Sequence, residues 1–355
     1  MTNLGHQYRN FFHTGLNVSR DDLDFAVNGV RKHLFVSDNN GKRGNDGKSV
    51  GQATKTIQAA VDIANSPDNC LHNVDIHVLG GLYSENVNFS RAGSNLGSDV
   101  MLWTAGGTNV GGIGQIRLIA HGYTWLGGPV DVAQPTISIC RPNVEIHNFT
   151  TIKCLSTETI TKTNWTFAEG GTSVHMQMPV IGISDDYNAS DLLYGAGNSV
   201  LIKNCKVNGG TGAGAILNNG GKWVHVVDSL LEYYTEYGVA HVGSSKGSPA
   251  ENLIRGCGFH QQVSGAACVH GCSIIQWIDN CDFWDESPTK VLQRQAANAN
   301  AQFCWIGNCR VHDEADLIGN NTGWDAVQIY SASGGGPMGN DDLTGGVWVA
   351  AGNVT

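Results

Sequence analysis

Long apolar runs are missing from this chain. Nowhere do about 18 consecutive apolar residues occur, so no bilayer-spanning helix is predicted. Basic clusters are missing as well. With 31 acidic against 21 basic residues and a net charge of −10, no concentrated positive face is on offer, which excludes sequence-independent nucleic-acid binding. Proline is scarce, at 8 residues, and charged residues make up only 15%. The 41% hydrophobic content nonetheless excludes pervasive disorder. The 47 glycines follow no three-residue period, which excludes collagen. The opening Met-Thr-Asn-Leu-Gly-His-Gln-Tyr-Arg-Asn lacks a signal-peptide core, and the expectation is folding in a cytoplasm. P-loop, dinucleotide and Gly-x-Ser-x-Gly fingerprints are absent.

What is present is a repeat. Five segments align without gaps: Val200–Val207, Val224–Leu231, Asn252–Phe259, Gln276–Phe283 and Cys304–Val311. Their shared reference column is Cys205, Ser229, Cys257, Cys281 and Cys309, spaced by 24, 28, 24 and 28 residues. An earlier copy at Val144–Thr151 places Phe149 in this column, 56 residues before Cys205. Three positions earlier stand Ile146, Ile202, Val226, Ile254, Ile278 and Ile306. Two positions later stand Thr151, Val207, Leu231, Phe259, Phe283 and Val311. Immediately before the reference come Asn148, Asn204, Asp228, Gly256, Asn280 and Asn308, residue types that tolerate left-handed backbone at a bend. Each copy reads as strand, one-residue bend, strand. Stacked copies would bury isoleucine on isoleucine, cysteine on cysteine and asparagine on asparagine. The ten cysteines are accordingly expected as reduced, buried thiols rather than a disulfide scaffold.

Coils of 24–28 residues are the signature of a parallel β-helix. The pattern resembles the right-handed pectin-lyase-like β-helix family, strongly over 136–320 and more weakly over 74–135. The predicted class is all-β: a right-handed single-stranded parallel β-helix with a short N-terminal capping helix. In Thr54–Asn65, Ile57, Ala60, Val61 and Ala64 share one helical face, with Thr54 or Thr56 placed to cap it. The expected organisation is an N-terminal arm at 1–33 for docking or oligomer contacts and a leading strand with the capping helix at 34–73. The β-helix follows at 74–320, with a loop-out at 155–197, and a Gly-rich tail at 321–355.

Several constellations invite a catalytic or binding reading. Ile275–Cys281 looks like the Trp-Ile-Asp-His element of pectate lyases, with Asp279 matching but Asn280 in place of the histidine. Arg141-Pro142 lacks the spacing and second arginine of the lyase motif, so the lyase site does not carry over. Glycoside hydrolysis needs two carboxylates about 5–5.5 Å or 6.5–9.5 Å apart. Asp285 aligns with Asp313 and Glu286 with Glu314 on neighbouring coils, which permits such a pair, although acidic corners also serve merely to keep a shaft soluble. Glu232, Glu236, Asp185 and Asp186 are further carboxylates without a supporting motif. Cys268-Val-His-Gly-Cys272 with His260 lacks the second ligand pair of a structural zinc site, so no metal is assigned there. The Asp38–Gly47 turns carry oxygens suited to calcium, but Asx/Gly turns form without metal. No cofactor is assigned. Asn218, His241, His270 and Arg294 recur at coil-like spacing and are expected to form a polar surface stripe. Trp277 and Trp305 share an outward column of the kind used for sugar stacking or for subunit interfaces, and without lyase residues the subunit interface is the expected use.

Two functional classes follow. The resemblance extends to virion proteins of tailed phages. It implies a non-enzymatic capsid decoration or head- or tail-attached shaft, a homotrimer docked to major capsid or tail proteins, in contact with surface polysaccharide. The alternative is a polysaccharide lyase or glycoside hydrolase of tailspike type.

Overall fold

A computed structural model describes residues 31–66, 68–69, 72–89, 104–105, 108–109, 114–128, 135–139, 141–155, 165–169, 172–176, 179–184, 199–210, 214–242, 251–261, 267–271, 275–285, 292–294, 303–311, 318–319, 326–329 and 332–334. Three long parallel sheets wrap the chain into a right-handed parallel β-helix. Sheet A has ten strands, sheet B nine and sheet C eight. Each coil passes through A, then B, then C, so every strand pairs with the equivalent strand one coil away.

The bend column sits between sheets A and B. Asn148, Asn204, Asp228, Gly256, Asn280 and Asn308 all have positive φ, between 50° and 65°. This turns the chain through a corner in one residue and lets the residues on either side face inward. The asparagines themselves are exposed, so the expected burial of asparagine on asparagine is corrected: a left-handed corner residue points its side chain out. Asn204 still donates to Asn148 Oδ1 at 3.0 Å across the coils. A second corner, between C and A, puts Asn143, Ser199, Trp223 and Glu251 at φ of 55–60°. That corner left no compositional trace.

The core is the stack of inward rows. Ile146, Ile202, Val226, Ile254, Ile278 and Ile306 are buried in sheet A, opposite Leu126, Ile152, Val207, Leu231, Phe259 and Phe283 of sheet B. Ile152, not Thr151, occupies the sheet B row, because one extra residue follows Phe149. Cys205, Cys257, Cys281 and Cys309 are free and buried, each donating its thiol to the carbonyl two residues earlier, at 3.1–3.4 Å. Ser229 does the same at 2.9 Å. Burial pushes the Cys205 thiol up to about 12.

Several expected boundaries move. The first strand, Arg31–Val36, starts inside the segment assigned to the arm and pairs in sheet A with Asn73–Val78. Helix α1, Ile57–Ala64, is capped by Thr56, whose hydroxyl accepts from Ala59 N–H at 3.2 Å, and it buries the four residues expected. The segment read as a loop-out contains an antiparallel hairpin, Trp165–Glu169 with Thr172–Met176. It also contains Pro179–Ser184, a full member of sheet C. The coils run on into the tail, with Ala326–Ile329 in sheet A and Ala332–Gly334 in sheet B. Residues 1–30 and 335–355 lie outside the described residues.

Candidate functional site

Along the outer face of sheet A, cross-strand register generates one continuous row: His33, Asp75, Arg117, Glu145, Leu201, His225, Leu253, Trp277, Trp305 and Gln328. The row is ionic at its first coils and aromatic at its last. These residues alternate with the buried row because side chains on a strand point to opposite faces.

At the ionic end, Asp75 is 3% exposed and is clamped by two guanidiniums. Arg31 Nε and Arg117 Nε donate to Oδ1 at 2.6 and 2.7 Å, and an Arg117 terminal nitrogen donates to Oδ2 at 2.5 Å. Burial alone would raise the Asp75 pKa, but hydrogen bonds from Arg117 and Arg31, with their charge, hold it below its ordinary value. Arg31 also reaches Gln115 Oε1 at 2.8 and 2.7 Å, and Gln115 donates to Glu145 at 2.5 Å. His147 lies 2.8 Å from the other Glu145 oxygen. Beside this network three imidazoles climb the coils. His33 Nδ1 and His77 Nε2 are 2.9 Å apart, as are His77 Nδ1 and His121 Nε2. Burial, then the neighbouring His121 and His33, lowers the His77 pKa, so that ring is neutral at ordinary pH.

At the aromatic end, the Trp277 and Trp305 rings stack at 5.4 Å and 12°, and Trp277 is 38% exposed. Between the two ends, at the A–B corner, a shallow groove of about 310 Å³ is lined by Asn148, Thr150, Asn204, Lys206, Asp228 and Leu230, among others. Its polar groups are amides, a hydroxyl, an ammonium and a carboxylate, a set suited to hydroxyl-rich ligands.

The expected surface stripe does not form. Asn218 and His241 are in register but fully buried at the corner between sheets C and A. There the Asn218 amide donates to Gly221 O at 2.9 Å, accepts from Gly221 N–H at 2.8 Å and lies 3.1 Å from His241 Nδ1, and Asn252 lies 3.4 Å from the same ring nitrogen. His270 is in register with Ala240 rather than His241, one residue out of the row, and Arg294 pairs with Gly271. Both faces of the strand Gly214–Asn219 in sheet C are buried, which is why Asn218 is interior. Asp285 ends the strand Asp282–Asp285 opposite Gln261, while Glu286, Asp313, Glu314, Asp185 and Asp186 lie outside the described residues. Glu232 is buried and paired with Lys206 Nζ at 2.7 Å.

Two resemblances to the lyase site resolve structurally. Arg141 is 1% exposed and ties the end of α1 to the next coil through Asn65 Oδ1, at 2.5 Å, and Gly114 O. Asp279 accepts from the ladder residue Asn308 at 3.0 Å. In the loop suited to calcium, Lys55 Nζ holds Asp38 at 2.9 Å and Lys48 N–H holds Asp46 at 3.1 Å, so its carboxylates serve its own lysines. Cys268 is buried against the Tyr234 hydroxyl, and Cys272 lies outside the described residues. Among the described residues, the one group of His, Cys, Asp or Glu whose ligand atoms all lie within 4.8 Å of one another is His33, Asp75 and His77. Their spacing hid them, because His33, His77 and His121 are 44 residues apart and the visible repeat is 24 or 28.

The chain matches no known family profile and no curated protein sequence. Its fold is similar to solved structures at low identity. Escherichia coli YbhC aligns with a TM-score of 0.54 and 13% identity over 85% of this chain and 84% of that one. The pectin methylesterase of Aspergillus niger aligns at 0.53 and 11%, over 91% and 92%. The carrot pectin methylesterase aligns at 0.53 and 12%, over 89% and 88%. The chain thus has the right-handed parallel β-helix fold found in pectin methylesterases.

Proposed function

We propose that this protein binds and modifies a polysaccharide laid along the outer face of sheet A and the adjoining A–B groove. The observation that carries the reading is the exposed, near-parallel Trp277–Trp305 stack, in register with a row of polar and ionic side chains on the same face. The two rings face each other, so what they offer a sugar is an apolar strip of ring edges and outer faces beside hydrogen-bonding groups. Sugar rings, apolar on one face and hydroxylated at the rim, match such a strip. The row between Glu145 and Trp277 spans four strand spacings, roughly 19 Å, enough for an oligomer rather than a single sugar. The likeness in fold to pectin methylesterases supports this reading over a purely structural shaft.

For the reaction, glycosidic-bond cleavage with Asp285, Glu286, Asp313 and Glu314 as the carboxylates is the version to test. Asp75 is unsuited to act as the acid, because its two arginines keep it ionised. Binding is measured against a panel of neutral and anionic polysaccharides, and cleavage by release of reducing or unsaturated ends. Trp277→Ala is expected to weaken binding about tenfold, the equivalent of ~1.4 kcal/mol. The double variant Asp285→Asn, Asp313→Asn is expected to abolish cleavage while binding and circular dichroism persist. Failure of the parent protein to bind any member of the panel overturns the proposal.

A further inference from the structure

We propose that His33 Nδ1, His77 Nε2 and Asp75 Oδ2 form a binding site for one borderline divalent cation of the zinc class. The juxtaposition follows from strand geometry. Asp75 and His77 are two apart on one strand and share its outer face, and His33 sits on the neighbouring strand in register with Asp75. The two ring nitrogens are 2.9 Å apart, and Asp75 Oδ2 lies 4.0 Å from His33 Nδ1. A tetrahedral ion about 2.0–2.1 Å from each ligand holds ligand atoms about 3.3 Å apart. The imidazole nitrogens need to part by only a few tenths of an ångström, and the carboxylate must close by about an ångström, for the shared hydrogen bond to give way to metal bonds.

The surroundings fit that role. A carboxylate offers about four lone-pair sites. Arg31 and Arg117 take two on Asp75 Oδ1, and Arg117 takes one on Oδ2, which leaves one on the oxygen nearest His33. The same bonds fix the carboxylate's orientation, as outer-sphere partners do around bound metals. His121 faces the other nitrogen of His77 at 2.9 Å and, as acceptor, sets the tautomer whose Nε2 lone pair points at His33. The His33 side chain is 53% exposed, so the remaining coordination position opens to water. Calcium and magnesium want several oxygen ligands, whereas two imidazoles and one carboxylate suit zinc.

The test is calorimetric titration of the untagged full chain with Zn²⁺ at neutral pH, with Co²⁺ absorption as a probe of coordination. One saturable site and a tetrahedral Co²⁺ spectrum are expected. His33→Ala and His77→Ala are each expected to weaken binding by tenfold or more, and His121→Ala by roughly tenfold. Circular dichroism checks that each variant folds. If His77→Ala does not fold, the half-exposed His33→Gln and its Co²⁺ spectrum decide the matter. Absence of saturable binding, or binding that His33→Ala and His33→Gln leave within twofold of the parent, overturns the proposal. In that case the histidines are a hydrogen-bonded ladder joining the first coils.

Discussion

His241 makes the folded chain sensitive to mild acid. It is fully buried against Asn218 and Asn252, and burial lowers its pKa from 6.5 to about 3. Its described polar neighbours are the neutral amides of Asn218 and Asn252, and burial is what disfavours a proton on the ring. The unfolded chain binds that proton below about pH 6.5 while the folded chain refuses it until about pH 3. Stability is therefore full above pH 6.5 and falls through that window as the pH drops, by ~1 kcal/mol per unit. Urea unfolding at pH 7 and pH 5 is expected to show a loss of roughly 2 kcal/mol from this residue, and His241→Gln to flatten the slope. At this scale the sequence was informative where chemistry constrained the backbone. The Asn/Asp/Gly column marked one left-handed corner, whereas Asn143, Ser199, Trp223 and Glu251 marked the other with four unrelated side chains. His241 itself was misjudged because a polar residue at coil spacing reads as surface unless the sheet is known to be buried on both faces.

At the scale of elements, helix α1 and sheets A and B were legible, and sheet C was not. Sheets A and B flank the one-residue bend at a fixed offset, so their inward columns align without gaps. Sheet C follows segments of varying length, and its strands, such as Gly214–Asn219, are buried throughout, which removes the alternation that identifies a half-exposed strand. Packing there leaves no spare volume. A Cβ on Gly214 would stand 2.1 Å from the ring of Tyr237, itself fully buried. Gly214→Ala is expected to cost about 1–3 kcal/mol in chemical denaturation, from overpacking rather than from any backbone preference. The ionic and histidine networks were illegible for a different reason. Their partners lie 42 or 44 residues apart, off the visible repeat of 24 or 28, and only pairing across sheet A brings them together.

At the scale of the whole molecule, the six described cysteines are free and buried, so coil stacking rather than covalent cross-linking joins the coils that carry them. Each coil contacts chiefly the one before and the one after, which makes stability close to a sum of coil and interface contributions. Removing residues 257–280 joins two corners of the same left-handed geometry, Gly256 with φ 65° and Cys281 following the position of Asn280 with φ 53°. This deletion is expected to fold with an unchanged β-type circular dichroism spectrum and a lower melting temperature. Removing half as many residues from the same point should prevent folding, because it breaks the register of every later strand.

The uniform corner between sheets A and B has one further consequence. Since the six coils from Asn148 to Asn308 turn there at a single left-handed residue, the chain carries a joint at which whole coils can be inserted or excised in frame. Gene duplication could then lengthen the molecule in steps of about 4.8 Å, like adding links to a chain, without redesigning the links on either side.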